Sequence, residues 1–138
     1  MTKDLIHDAV KIALIKDGWT ITHDPYAIQY EEVKLAADLG AERTLAAERG
    51  EEKIVVEIKS FVSRSEMQDL KIAVGQYMIY KGLLKFMATD RKLYLAVSDL
   101  AFEETFSKKA VQALLSEYGI AMFVVNIQLE EVIRWINW

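Results

Sequence analysis

Two charged residues in one short apolar segment, Glu57 and Lys59, are the part of this sequence best suited to chemistry. They lie in the run KIVVEIKS at 53–60, which otherwise has the composition of a buried strand. Because side chains alternate between the faces of a strand, the two charges must project to one side while Val56 and Ile58 project to the other. Burying both charges is costly unless each has a partner. A second carboxylate that shares a divalent cation with Glu57 would supply one.

Asp38 is the candidate for that second carboxylate. Residues 35–48 are rich in alanine and leucine, which favours a helix by propensity. However, the turn-like segment 48–52 leads directly into the β-rich run, which predicts a hairpin with much of 35–48 as its first strand. The hairpin would bring Asp38 onto the strand next to Glu57.

An acid pair and a lysine in this arrangement suit metal-dependent cleavage of phosphodiesters. Mg²⁺ or Mn²⁺ prefers oxygen ligands, which Asp38, Glu57 and the backbone carbonyl of Ile58 can provide. Lys59 would orient the nucleophile or stabilise the transition state. The alternative is an ordinary exposed strand face with a Glu–Lys pair, and Glu-x-Lys alone does not distinguish the two.

Two further groups of residues are candidates for supporting roles. Gln76 and Tyr80 share a face of the helix that follows and could contact a phosphate, a base or Lys59; the alternative is that they are surface and packing residues. Asp8, beside His7 on the first helix, is a further candidate metal ligand or water-positioning carboxylate. Its alternative is a helix N-terminal turn that complements the helix dipole.

The hydrophobic periodicity predicts a mixed α/β fold in one domain, 1–138. Capping boxes begin a helix at Ser63 or Ser65. The order α-β-β-β-α-β-α-β-β predicts a central mixed sheet flanked by helices. The predicted helices are 3–17, 63–86 and 99–118, and the predicted strands are 19–23, much of 35–48, 53–61, 92–97, 120–127 and 132–138.

The composition excludes several classes of protein. Without cysteine, disulfides, thiolate metal sites and thiol nucleophiles are excluded, and no nucleotide-binding glycine motif is present. No apolar stretch has the length of a membrane span and the N-terminus lacks the apolar core of a signal peptide, so we expect a cytoplasmic protein. The net charge of −4 argues against a general DNA-coating role.

Two surface features leave alternatives open. Basic residues concentrated in the middle third form either a phosphate-facing rim or a solvated helix face. The aromatic C-terminus, with Trp135 and Trp138, is either an edge strand packed on the core or an interface for a second copy or another protein. The basic residues are at positions 59, 64, 71, 81, 85, 91 and 92.

The sequence resembles two nested families. Asp38, then Glu57-Ile-Lys59, then Gln76-x-x-x-Tyr80 resembles the PD-(D/E)xK nuclease superfamily, in particular its RecB-like branch. A closer resemblance, to the XisH family, covers nearly the whole chain. It rests on the segments Lys3-Asp4, His7-Asp8, 17–25 (DGWTITHDP), 38–42 (DLGAE), 46–48 (AAE), 56–61 (VEIKSF), Gly75-Gln76, 93–97 (LYLAV) and 133–135 (IRW).

The resemblance implies a fold, a site and a role. The first hundred residues would form a restriction-endonuclease-like αβββαβ core, followed by an extra C-terminal helix and strands. Asp38 and Glu57 would bind the metal, Lys59 would be catalytic, and Gln76 and Tyr80 would support the site. The XisH family comprises excision controlling factors of the cyanobacterial fdxN element, so the resemblance implies programmed DNA excision alongside a site-specific recombinase and a small partner, XisI. The residue before Asp38 is Ala37, where the superfamily often has proline.

Overall fold

The computed structural model describes residues 3–35, 44–61 and 65–138. Its helices are α1 (Lys3–Lys16), α2 (Glu66–Phe86), α3 (Asp99–Ala101) and α4 (Lys109–Tyr118), with a π-helical turn at Phe102–Phe106 between the last two. Its strands are β1 (Thr20–His23), β2 (Ile28–Tyr30), β3 (Val33–Leu35), β4 (Thr44–Arg49), β5 (Glu52–Ile58), β6 (Lys92–Ser98), β7 (Met122–Asn126) and β8 (Glu131–Ile136).

In this part of the chain, six strands form one mixed sheet in the order β1-β4-β5-β6-β7-β8. The three central strands β5, β6 and β7 run parallel, and the outer strands pair antiparallel. Strands β2 and β3 form a separate two-stranded sheet. The predicted central mixed sheet with helices on its faces is confirmed. When β2 and β3 are set aside, the first hundred residues follow the expected order α-β-β-β-α-β, as α1, β1, β4, β5, α2 and β6.

Each face of the main sheet carries its own hydrophobic cluster. On one face, side chains of α2, the π-helical turn and α4 pack against Val55, Leu95 and Val124. On the other face, α1 packs against Val56 and Phe123, among others. Strand β5 is buried on both sides, which is typical of a central strand in a mostly parallel sheet.

The predicted hairpin that ends in β5 is present, but its first strand, β4, is shorter than expected. Strand β4 begins only at Thr44 and pairs with β5 through a turn in which Gly50 adopts a φ of 61°, a conformation that glycine tolerates without strain. Leu35, the start of the predicted strand, ends β3 instead. Asp38 falls in the stretch 36–43, outside the described residues.

The single helix predicted for 99–118 is wrong, because a π-helical turn at Phe102–Phe106 and the extended backbone of Lys108 interrupt it. The backbone amide of Ser107 donates to the carbonyl of Phe102, five residues back, at 2.8 Å, which inserts one extra residue into the turn. Beyond Phe106 the buried positions are Val111 and Leu115, whereas Ala110 and Leu114, which an unbroken helix would bury after Phe102 and Phe106, are exposed.

Candidate functional site

Glu57 and Lys59 lie where the alternation of β5 placed them, on the face toward α2. Val55, two residues before Glu57, packs in the cluster under α2, whereas Ile58 packs in the cluster under α1. Glu57 is 0% exposed and Lys59 is 5% exposed. The reading of this pair as an ordinary exposed strand face is therefore excluded.

Neighbouring strands fix the end of β5 on both sides. Glu57 pairs with Thr44 of β4 and with Leu95 of β6. The amide of Lys59 donates to the carbonyl of Ala96 at 3.1 Å, so pairing with β6 continues one residue past the strand. The acid and the lysine are thus held on a rigid sheet rather than on a loop, which is what a precisely positioned site requires.

Tyr26 ties the segment before β2 to this region. Its amide donates to the carbonyl of Thr44 at 2.9 Å, and the Thr44 hydroxyl donates to the carbonyl of Tyr26 at 2.7 Å. Tyr26 also packs against the cluster under α2, as does Ile28 of β2. This segment, for which the sequence predicts no helix or strand, is therefore part of what packs on the face that carries Glu57.

Helix α2 contributes the two supporting residues predicted from sequence. It begins at the Ser65 cap, whose hydroxyl accepts from the amide of Gln68 at 3.1 Å, so the second of the two predicted capping boxes is the one used. Gln76 and Tyr80 are both half-buried, and Tyr80 packs against the cluster that includes Val55. Within the described residues, the Gln76 side-chain oxygen is buried without a hydrogen-bond partner, which is unusual for a buried amide.

Tyr77, between these two residues, is a structural residue of the same helix. Its hydroxyl donates to the carbonyl of Leu93 at 2.9 Å and accepts from the amide of Ala121 at 3.1 Å, so it joins β6 to the start of β7. Burial raises the pKa of Tyr77 to about 12; the Ala121 amide opposes the shift and the negative charge of Glu57 adds to it. Tyr77 thus senses the charge of the candidate site.

Asp69 is a buried acid that sequence reasoning missed. It lies in the first turn of α2 with 6% exposure. Seven residues before Gln76, it lies on the same side of the helix, since two turns span about seven residues. That spacing was visible in the sequence, but acids in a first helical turn are ordinarily attributed to the helix dipole.

The candidate ligand on α1 lies away from Glu57. Asp8 is exposed, and α1 packs on the opposite face of the sheet. His7 is buried and its Nε2 lies 3.1 Å from Asp24 Oδ2, which also pairs with Lys11 Nζ at 2.8 Å. Burial alone would raise the pKa of Asp24, but the hydrogen bonds and charges of Lys11 and His7 lower it overall. His7 therefore anchors α1 to the end of β1, and the role of Asp8 as a ligand stays a prediction.

The described donor atoms suit an oxygen-ligated cation in kind. They are the Glu57 carboxylate and the Ile58 carbonyl, the ligand types that Mg²⁺ and Mn²⁺ prefer. No group of three histidine or acidic side chains within residues 3–35, 44–61 and 65–138 could hold a metal ion by itself. A complete site would therefore depend on Asp38, which lies outside those residues.

The basic residues of the middle third do not form one surface. Lys59 is buried, and Arg91 donates to the carbonyl of Ile54 at 3.2 Å and pairs with Glu48 at 2.9 Å. Lys71, Lys81 and Lys85 are exposed on α2, and Lys92 is exposed at the start of β6; residue 64 is outside the described part. The exposed lysines of α2, together with Lys92, are the part of this set that solvent or a partner can reach.

Fold and site together define a class: a mixed α/β protein whose central strand ends in a buried acid and lysine beneath a helix. The family profile described as XisH protein matches residues 1–133. The chain belongs to the XisH family.

Two solved structures resemble this chain over almost their whole length. A XisH family protein from Nostoc punctiforme PCC 73102 is 37% identical, with a TM-score of 0.88, covering 97% of this chain and 100% of that one. An fdxN element excision controlling factor protein from Anabaena variabilis is 37% identical, also with a TM-score of 0.88, covering 97% of this chain and 99% of that one. No curated protein matches the chain. Within the described residues, none of the helices combines the length and the apolarity needed to cross a bilayer.

Proposed function

We propose that this protein acts in the programmed excision of a DNA element and that the end of β5 is a metal-dependent site for cleaving or processing DNA phosphodiesters. The excision role is supported by the Anabaena variabilis relative, which is an fdxN element excision controlling factor protein. The observation that carries the chemical part is the burial of Glu57 and Lys59, with 0% and 5% exposure, on one face of a central strand.

The physical argument rests on what burial of charge costs. Moving a carboxylate and an ammonium out of water is unfavourable by several kcal/mol per ion, and apolar side chains at the same positions would often make a protein as stable or more stable. Both side chains have interaction partners in the fold. Two such groups facing one way at a strand end are better explained by chemistry than by stability.

Each residue then has a defined part in the proposed reaction. Glu57, the Ile58 carbonyl and Asp38 would hold Mg²⁺ or Mn²⁺, which would acidify a bound water and neutralise charge on the phosphate. Lys59 would orient the nucleophile or stabilise the charge that develops on the phosphate. Gln76 would offer its amide to Lys59 or to the DNA, and Tyr80 would support the position of α2 over the strand.

A cleavage assay tests the proposal directly. Purified protein is incubated with single-stranded, nicked and branched DNA in Mg²⁺ or Mn²⁺, with EDTA as the metal-free control. We expect cleavage of at least one substrate, and a loss of about a hundredfold or more in Glu57→Gln and Lys59→Met proteins, as for removal of one group that stabilises a transition state. Glu103→Gln, at an exposed acid on the π-helical turn, is the matched control.

Two results would contradict the catalytic proposal. One is the absence of cleavage on all three substrates with either ion. The other is equal cleavage by the Glu57→Gln protein and the unaltered protein, which would indicate a contaminating nuclease.

The second candidate function is a catalytically inactive regulator that uses this fold to bind a partner protein, XisI or the recombinase. The net charge of −4 favours it, because bulk electrostatics would not draw the protein to DNA. The edge strand β8 and the C-terminus add a surface, since Ile133 and Trp138 are 54% and 52% exposed. Trp135, by contrast, packs 4.6 Å from Phe123 between ring centroids and belongs to the core.

Binding measurements separate this candidate from the first. Isothermal titration with purified XisI-like protein and with the recombinase is compared for the unaltered protein, Ile133→Lys and, as a control on α1, Leu5→Lys, where the native leucine is 57% exposed. Point substitutions are preferable to truncation because β8 pairs along its length with β7. Failure to bind either protein would remove the regulator hypothesis.

A further inference from the structure

An apolar groove of about 420 Å³ runs between α2 and α4, on the side of α2 away from Gln76 and Tyr80. We call it the α2–α4 groove. It is lined by Met67, Lys71 and Gly75 of α2 and by Leu114 and Tyr118 of α4, among others. Neither the sheet nor the β2–β3 hairpin contributes to it.

The walls of the groove expose large apolar side chains to solvent. Met67 and Tyr118 are 51% and 47% exposed, and Leu114 is 41% exposed. Methionine adapts its shape to a partner and is common at such surfaces. A monomeric protein gains nothing from exposing these side chains together, so the groove suits a binding partner.

Gly75 opens the α2 wall to close approach. A Cβ built at this position would have no neighbouring atom within 4 Å. Alanine would be the better helix former there by about 1 kcal/mol. The glycine therefore leaves the α2 wall of the groove without a side chain at this point, so the backbone of a partner helix could approach it closely.

The charges around the groove are mostly positive. Lys71 lines the wall and forms no ion pair within the described residues. At one end Lys108 pairs only loosely with Glu66, at 3.5 Å, and at the other end Lys81 lies 3.5 Å from the carbonyl of Gly119, the residue after Tyr118. Glu117 is exposed on α4. A local excess of lysine in a chain of net charge −4 indicates an acidic ligand for this face.

We propose that the α2–α4 groove binds an amphipathic helix of a partner protein, with leucine-like residues at i, i+3, i+4 and i+7 and with acidic residues flanking that stripe. The apolar stripe would fill the groove between Met67 and Tyr118, crossing Gly75, and the acids would meet Lys71, Lys81 and Lys108. A second copy of this chain is disfavoured, because a two-fold pairing would bring the same lysine-bearing face together from both copies. The proposal does not rest on phosphodiester cleavage.

Peptide binding tests the groove with a defined probe. The probe is a fluorescein-labelled helical peptide of about five turns with leucines at the stated spacing and glutamates on both flanks; a second peptide carries lysines in place of the glutamates. Fluorescence anisotropy at about 0.1 M salt, where screening is moderate, measures both. We expect the acidic peptide to bind about tenfold more tightly than the basic one, a difference of about 1.4 kcal/mol.

Matched variants locate the binding to the groove. Gly75→Leu places a side chain in the groove at the open part of the α2 wall and should weaken peptide binding about tenfold or more. It should not lower the melting temperature, because the added side chain meets open space. Gly82→Leu, at a second α2 glycine with equally open space but outside the groove, is its control. Lys71→Glu should reduce the preference for the acidic peptide about tenfold, whereas Lys85→Glu, which is outside the groove, should not.

Three outcomes would overturn the proposal: equal affinity for the two peptides, unchanged affinity in Gly75→Leu protein, or concentration-dependent dimers by light scattering that Gly75→Leu abolishes. The last would identify a second copy as the occupant. DNA cleavage by Gly75→Leu protein is measured in parallel. Cleavage without peptide binding rejects only the groove proposal, and peptide binding without cleavage rejects only the catalytic one.

Discussion

The two faces of β5 differ in what they bury. Toward α1 the strand presents Ile54, Val56 and Ile58, which join an apolar cluster containing Phe123 and Trp19. Toward α2, after Val55, it presents a carboxylate and an ammonium. The same backbone, with the same hydrogen bonds to β4 and β6, thus supports an apolar face and a charged face separated only by the alternation of side chains.

This difference separates the residues that stabilise the fold from the residues proposed to carry out chemistry. Apolar burial on the α1 face contributes about 25 cal/mol for each Å² removed from water, and its aromatic rings add edge and tilted contacts. The α2 face carries groups whose desolvation opposes folding. The α1 face therefore stabilises a sheet on which the α2 face can hold charges in place.

The largest expected effect on the free energy of unfolding comes from truncating a buried side chain on the α1 face. Phe123→Ala removes a fully buried ring whose centroid lies 4.6 Å from that of Trp135. We expect the free energy of unfolding to fall by about 3–5 kcal/mol, the usual result for truncating a buried phenylalanine. Urea denaturation followed by circular dichroism measures it, with Phe86→Ala, at a ring 60% exposed on α2, as the control. A loss below about 1 kcal/mol, within the range of surface substitutions, would mean that this face is not the stabilising one.

Neutralising the α2 face should have the opposite sign. The double variant Glu57→Gln, Lys59→Met removes two buried charges while nearly keeping their volumes. Because such replacements are often neutral or stabilising by about 1–4 kcal/mol, we expect the free energy of unfolding to be unchanged or higher, while the proposed DNA chemistry is lost. The same urea titration checks it.

Single variants sharpen this prediction. Lys59→Met or Glu57→Gln alone leaves one charge without its original surroundings and should be less stable than the double variant, since removing one buried charge of a set is the costly change. If the double variant instead loses as much stability as Phe123→Ala, the charged face is structural and the contrast between the faces disappears.

The local sequence pattern predicts which residues of β5 share a face, but it does not predict where the neighbouring strand begins. The alternation in 53–60 follows from backbone geometry, which places Glu57 and Lys59 on one side of the strand. The apolar composition indicated a buried strand but left the exposure of that charged side open. Ala46 and Ala47 favour a helix by propensity, yet both are fully buried in β4. Pairing with β5 overrides that propensity, as the turn-like segment 48–52 indicated, but no local signal showed that the strand begins only at Thr44.

Other features depend on contacts between distant residues. After the π-helical turn and the extended residue Lys108, the next buried positions are Val111 and Leu115, which pack with Phe106 in the cluster under α2. The local sequence carries no signal for this break. The β2–β3 hairpin was missed because its strands are three residues each and largely exposed, so they carry little hydrophobic pattern. The burial of Asp69 likewise arises only when α2 docks on the sheet, and the part of the site assigned to Asp38 stays a prediction.

The last expected effect concerns Tyr77, whose ring packs in the cluster under α2 and whose hydroxyl joins β6 to the start of β7. Tyr77→Phe keeps the ring but leaves the Leu93 carbonyl and the Ala121 amide without that partner, so we expect the free energy of unfolding to fall by about 1–3 kcal/mol at neutral pH.

The stability difference between the two proteins should also depend on pH, because the pKa of this hydroxyl is about 12 in the fold against an ordinary 10.0. Above pH 10 the unfolded chain therefore ionises Tyr77 before the folded protein does, and the stabilisation present below pH 10 is lost as the pH rises toward 12. Urea titrations of both proteins across this range should show the difference in stability shrinking. A constant difference would indicate that Tyr77 titrates normally and that burial in the cluster under α2 does not raise the pKa of its hydroxyl.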